Sequence, residues 1–179
     1  MSSPSSSPAQ PGRRRLLKLG IGAGVLLGLA GTGAALFRPG LKDGHLSPSA
    51  QALLRAVAMA VLDGLLPADP AVCEARIALH LKQLDAAIAA LPASLRAELS
   101  QLLGLLDTAA GRLMLGGSAS DWAAMAPDEL QQTLRTMSQS SLDLRQQVYH
   151  ALRDLNTLVF FTEPSSWALV GYPGPREIP

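Results

Sequence analysis

Residues 69–91 read DPAVCEARIALHLKQLDAAIAAL, and this stretch decides the fold class. Asp69 followed by Pro70 is typical of a helix N-cap with proline at the first helical position. Apolar residues then recur every three or four positions, the spacing of one face of an α-helix, until Pro92 ends the run. The stretch therefore predicts a long helix with one apolar face to bury. That face consists of Cys73, Ile77, Leu81, Leu84, Ile88 and Leu91.

The same helical pattern recurs on both sides of this stretch. No segment alternates apolar and polar residues for long enough to predict a strand. Each helix has one apolar stripe, so the helices should share a common core. We therefore predict an all-α fold: a single bundle of about five helices that occupies residues 43–161. The other four helices are expected from Ser47 to Pro67, from Leu95 to Leu106, from Pro127 to Met137 and from Leu144 to about Phe161.

The net charge of +1 conceals an uneven distribution. Up to Lys42 the chain has six basic residues and no acidic one, whereas from Asp43 onward it has nine basic and fourteen acidic residues. A nucleic-acid-binding protein usually carries its basic excess on the folded part, so this distribution argues against a nucleic-acid partner. The single cysteine excludes an intramolecular disulfide and a zinc module built from several cysteines.

An acid-free start is typical of a targeting segment, which we assign to residues 1–42. After a Ser/Pro-rich beginning and a basic cluster, residues 19–37 form an uncharged apolar run. As a helix this run would be about 28 Å long, enough to cross the hydrocarbon core of a bilayer. We therefore predict a signal or transmembrane helix with membrane contact through residues 19–37.

The basic cluster resembles a twin-arginine translocation signal. Arg13 and Arg14 supply the arginine pair, Leu16 stands where such signals carry phenylalanine, and Leu17 and Lys18 complete the motif. The resemblance implies export by the twin-arginine translocase to the periplasmic side of the bacterial inner membrane. Cleavage of the leader stays open, and an ordinary N-terminal membrane anchor is the alternative.

Residues suited to catalysis or metal binding are sparse. Cys73 and His80 lie seven positions apart, on about one helix face, but two ligands are fewer than a metal site usually needs. The pattern favours a buried cysteine and a hydrogen-bonded core histidine. The chain has no Gly-x-Ser-x-Gly elbow, phosphate loop or paired-histidine zinc helix. We therefore predict a protein that is not an enzyme and has no metal or cofactor of its own.

The aromatic residues concentrate near the C-terminus. Pro164, Pro173, Pro175 and Pro179 are incompatible with one continuous helix, which predicts an extended tail over residues 162–179. Aromatic side chains on such a segment make good interface anchors, although the tail folding back onto its own bundle is an equal alternative. The predicted partner interface consists of Phe160, Phe161, Trp167, Tyr172, Pro173, Gly174 and Pro175.

Two stretches resemble the gluconate 2-dehydrogenase subunit 3 family, the small subunits of membrane-associated FAD dehydrogenases. The Phe160-Phe161 pair, Trp167 and the Gly-Tyr-Pro-Gly-Pro sequence at 171–175 are similar to the end of those chains. The LLPAD sequence at 65–69 resembles the LPAD motif that they carry near the first helix. The spacing between Phe161 and Trp167 is shorter than in gluconate-type members, which leaves the substrate open.

The resemblance implies an accessory role. In such complexes a large FAD-dependent subunit of the glucose–methanol–choline oxidoreductase type oxidises a sugar or alcohol, and a cytochrome c subunit often takes the electrons. The small subunit holds no cofactor, helps the flavoprotein mature and supplies its export signal. The alternative is a free-standing exported or membrane-anchored helical binding protein with no dehydrogenase partner.

Overall fold

The structure is a computed structural model that describes residues 38–174. The predicted export signal, the apolar run at 19–37 and Pro175 lie outside the described residues. The described part is mostly helical, which confirms the all-α prediction. Its helices are α1 (Pro48–Val61), α2 (Pro70–Ala89), α3 (Ala93–Leu106), α4 (Ala109–Gly116), α5 (Pro127–Ser138), α6 (Asp143–Phe160) and α7 (Pro164–Trp167).

The five predicted helices correspond to α1, α2, α3, α5 and α6. Both predicted N-caps are confirmed by hydrogen bonds to the first helical turn. The Ser47 hydroxyl accepts from the backbone N–H of Ala50 at 3.2 Å, and the Asp69 carboxylate accepts from that of Val72 at 2.9 Å. The short helices α4 and α7 were not predicted, nor were two 3₁₀ turns at Trp122–Ala124 and Ala168–Val170.

The first helix ends earlier than predicted. We expected α1 to continue to Pro67, but it ends at Val61. Gly64 has a φ of 77°, in the left-handed region that breaks a right-handed helix. Leu65 and Leu66 consequently lie in the loop between α1 and α2.

A short β-hairpin precedes the bundle. Strands β1 (Leu41–Lys42) and β2 (His45–Leu46) pair antiparallel. The turn residues Asp43 and Gly44 both have positive φ, 53° and 86°, as the favoured two-residue hairpin turn requires. The hairpin was not predicted, because two-residue strands are too short for an alternating pattern. The Asp-Gly pair was the available signal.

One carboxylate fixes the hairpin to α2. Asp85 accepts a hydrogen bond from the backbone N–H of Leu46 at 2.7 Å and contacts Nδ1 of His45 at 2.8 Å. Burial alone would raise the pKa of Asp85, but the Leu46 and His45 interactions together lower it below its ordinary value. The chain that enters the bundle is therefore tied to α2 at this acidic side chain.

The bundle is organised around α1, which contacts α2, α3, α5 and α6. The main core contains Leu54, Val57, Trp122, Leu130 and Met137, all fully buried. A second, smaller core lies between α1, α2 and the end of α6. Its buried members are Ala58, Leu62, Ile77 and Phe160.

The first described residues lie against α3 with no space between the backbones. Gly40 donates its N–H to the carbonyl oxygen of Ser100 at 3.0 Å. A methyl group at Gly104 would overlap the carbonyl oxygen of Arg38, and one at Gly40 would overlap the side chain of Leu103. Glycine at these two positions allows residues 38–40, which we had included in the predicted targeting segment, to pack directly on α3.

Between residues 38 and 174, no helix combines the length and the apolar composition needed to cross a membrane.

Gly104→Ala should lower the free energy of unfolding by about 1–3 kcal/mol, because the new methyl group displaces the Arg38 carbonyl. In a helix without such a contact the same change stabilises by about 1 kcal/mol, so the sign of the effect is informative. Urea denaturation measures it. The exposed Gln101→Ala on α3 serves as the control and should change little. A stabilised Gly104→Ala protein would contradict the close contact.

Candidate functional site at the C-terminal end of the bundle

The two stretches that carry the family resemblance meet in the folded protein. Leu65 and Leu66, in the loop after α1, pack against the same small core as Phe161, at the end of α6. Cys73, in the first turns of α2, belongs to the same group. The parts of the chain that the sequence singled out therefore form one end of the bundle. We call residues 161–174, which cover this end, the C-terminal cap.

The cap is not the extended tail that we predicted. Pro164–Trp167 form α7 and Ala168–Val170 a 3₁₀ turn. Pro164 occupies the first helical position, where the missing N–H costs nothing. The next proline is Pro173, which leaves room for two short turns before Gly171, with a φ of 70°, ends them. The prolines therefore divide the tail into short turns and do not extend it.

Ser166 joins the cap to α6. Its side chain is buried, and its hydroxyl lies 3.0 Å from the carbonyl oxygen of Phe160 and 2.6 Å from that of Glu163. The last carbonyls of a helix have no partner within that helix. Ser166 supplies one for α6, so the cap satisfies the end of the helix that precedes it.

Trp167 is enclosed by the end of its own chain. Its indole N–H donates to the carbonyl oxygen of Phe161 at 2.8 Å, and the N–H of Tyr172 donates to the Trp167 carbonyl at 3.0 Å. The two rings meet edge to face, with centroids 5.5 Å apart. Gly174, with a φ of 93°, packs against the same indole ring. The Gly-Tyr-Pro-Gly sequence thus closes around the tryptophan.

Phe160 was predicted to lie in the partner interface, but the structure places it in the core. Its side chain is 1% exposed and lies in the second core. The guanidinium of Arg76 lies 4.7 Å from the ring centroid, and the ring of His80 meets it edge to face at 6.0 Å. Because the protein's own side chains surround its ring, Phe160 is a core residue that supports the cap. Phe161 is half-buried beside it.

The outer side of the cap presents large apolar side chains to solvent. Leu169 and Val170 are each 54% exposed, and Tyr172 is 50% exposed. Pro173 beside them is also exposed. The predicted interface contained aromatic, proline and glycine residues and did not include Leu169 and Val170. The prediction that Trp167, Tyr172 and their neighbours contact a partner stays a prediction.

Beneath the cap lies the buried pair of His80 and Asn156. His80 is 1% exposed, and its Nε2 lies 3.1 Å from Oδ1 of Asn156. Its Nδ1 has no hydrogen-bond partner, so the core histidine that we predicted is only half satisfied. Cys73 is a free thiol and is half-buried, less enclosed than we expected.

Burial lowers the pKa of His80 below its ordinary value of 6.5. The hydrogen bond to Asn156 acts in the opposite direction, and the positive charge of Arg76 lowers the pKa further. His80 is therefore neutral in the folded protein at neutral pH.

The cap is also tied to α2. The side-chain amide of Gln83 donates to the carboxylate of Glu163, just before α7. Together with the hydrogen bond from Ser166 to Phe160, this contact attaches the cap to the bundle.

Among residues 38–174, no three His, Cys, Asp or Glu side chains lie close enough together to hold a metal ion. No family model, curated protein or solved structure matches this chain.

Ser166→Ala should lower the free energy of unfolding by about 1 kcal/mol, because a buried carbonyl at the end of α6 loses its donor. Ser165 is the matched control, since it is adjacent, equally small and exposed. Ser165→Ala should change stability by less than about 0.5 kcal/mol. Urea denaturation followed by tryptophan fluorescence measures both. Equal stability of the two variants would contradict the assigned role of Ser166.

Proposed function

We propose that this protein is a non-catalytic small subunit of an FAD-dependent sugar or alcohol dehydrogenase. In this role it accompanies the catalytic flavoprotein through export, assists its maturation and stays bound as a structural subunit. FAD belongs to the partner, a large subunit of the glucose–methanol–choline oxidoreductase type. A cytochrome c subunit of the same complex would accept the electrons.

The observation that carries the proposal is the C-terminal cap. Three large apolar side chains, Leu169, Val170 and Tyr172, are exposed on a segment that hydrogen bonds hold in place. A rigid apolar segment loses little conformational entropy when it binds, which favours a docking surface over a loose tail. The same segment carries the resemblance to the dehydrogenase small subunits, so one surface supports both lines of argument.

The leader supports the export part of the proposal. The twin-arginine route transports folded proteins, so a flavoprotein can acquire FAD in the cytoplasm and cross the membrane bound to its escort. Arg13 and Arg14 would address the complex to the translocase. Residues 19–37 would then contact the membrane, and the complex would remain on the periplasmic side of the inner membrane.

Leu169→Asp should weaken binding of the flavoprotein at least about tenfold, because a charge replaces an apolar anchor at the interface. Tagged full-length protein is purified from its native host, and the flavin that copurifies is measured. Leu169 is exposed, so the stability of the free protein should not fall.

Leu113→Asp is the matched control. Leu113 is 55% exposed, and its carbonyl contacts Arg145 near the start of α6, about 20 Å along that helix from the cap. This variant should retain the flavoprotein. If wild-type protein copurifies with no flavoprotein, the subunit proposal is wrong and a free-standing binding protein is favoured. Equal losses in both variants would place the interface elsewhere.

Changing Arg13 and Arg14 together to lysine should retain the flavoprotein in the cytoplasm. The charge is unchanged, so the variant tests recognition of the arginine pair and not electrostatics. Dehydrogenase activity is measured in periplasmic and cytoplasmic fractions. Arg15→Lys, at the free position of the motif, is the control and should export normally. Active periplasmic flavoprotein with the double variant would overturn the escort role.

A further inference from the structure

We propose that His80 is a proton-sensitive latch for the C-terminal cap, which stays docked while the imidazole is neutral and detaches when the imidazole is protonated. The inference goes beyond the proposed function and does not depend on it. It rests on the tautomer of His80, on the charges around it and on its contact with Phe160.

The hydrogen bonds of Asn156 fix the tautomer of His80. Its amide nitrogen donates to the carbonyl oxygen of Leu152 at 2.8 Å, so its oxygen must be the atom that faces His80. An oxygen accepts, and Nε2 of His80 therefore carries the ring hydrogen. Nδ1 is then the unprotonated ring nitrogen, which is buried and has no hydrogen-bond partner. The next proton must bind there.

A proton on Nδ1 would meet no acceptor and no compensating charge. The adjacent charge on α2 is Arg76, which has the same sign. No carboxylate is among the causes of the shift in the pKa of His80. On the elements packed together here, Glu74 pairs with Arg55 of α1, Asp154 with Arg153 on α6, and Glu163 bonds Gln83. Asp85, further along α2, pairs with His45 of the hairpin. Protonation thus creates a buried, unpaired cation, which is strongly unfavourable.

Phe160 connects His80 to the cap, because it contacts both. The ring of His80 meets the Phe160 ring edge to face at 6.0 Å, and Arg76 lies over the same ring. The backbone carbonyl of Phe160 is the acceptor for Ser166 of the cap. Movement of a protonated His80 toward solvent therefore displaces the residue on which the cap is seated. Segments held by few contacts open before the main core does.

The direction of the pH effect follows from linkage. A histidine whose pKa is lower in the folded state binds fewer protons there than when it is released. Its contribution to cap docking is complete above the ordinary pKa of 6.5 and decreases as the pH falls below that value. The cap should therefore detach on acidification.

The two tryptophans allow a direct test on the full chain. Trp167 lies in the cap, whereas Trp122 is fully buried in the main core. Protein labelled with 5-fluorotryptophan gives one ¹⁹F resonance for each, assigned with Trp167→Phe. Between about pH 8 and about pH 5, where histidines titrate, the Trp167 signal should move to its solvent-exposed position. The Trp122 signal should stay constant. Simultaneous change of both signals, or no change at Trp167, would overturn the latch.

Two variants connect the transition to His80. His80→Gln keeps a donor for Asn156 but does not titrate in this range, so Trp167 should remain docked. An unchanged transition in this variant would overturn the latch. Arg76→Gln removes the like charge and brings the pKa of docked His80 closer to its ordinary value. The proton then favours detachment less, so the midpoint should move to lower pH, whereas Arg76→Lys should leave it unchanged. If His80→Gln fails to fold, the midpoints of Arg76→Gln and Arg76→Lys are compared. Equal midpoints in these two variants would refute the proposal.

Discussion

The burial of Phe160 is the contact on which the C-terminal part of the molecule depends. Its side chain completes the second core, and its carbonyl accepts the hydroxyl of Ser166. It brings α2, the end of α6 and the cap together, beside the separate contact between Gln83 and Glu163. The exposed residues of the cap are therefore held in place by Phe160, which is itself buried.

The strongly periodic parts of the fold were predictable from sequence. The N-caps Ser47 and Asp69 and the five long helices follow from local rules that act within a few residues. The early end of α1 was not predicted, because apolar residues continue past it and only the left-handed Gly64 interrupts the helix. The hairpin was missed because its strands are two residues long and show no alternating pattern, although Asp43 and Gly44 carried a local turn signal.

The C-terminal tail was predicted with the wrong conformation, and its role as a partner interface stays a prediction. Aromatic and proline residues indicated the region, yet the prolines begin and end short turns where an extended tail was expected. Sequence reasoning treated Phe160 and Trp167 alike, although one is a core residue and the other is half-buried. The difference depends on Arg76 and His80, which α2 brings from a distant part of the sequence.

The direct contact of the entering chain with α3 also has an evolutionary consequence. Gly40 and Gly104 each face a side chain or backbone atom at close range, so substitution of either one is opposed by sterics. A homologous chain that keeps this junction should keep both glycines, even where its helices have diverged in sequence. The two glycines are therefore constrained together by one junction, and a side chain at either position requires the segment opposite to move.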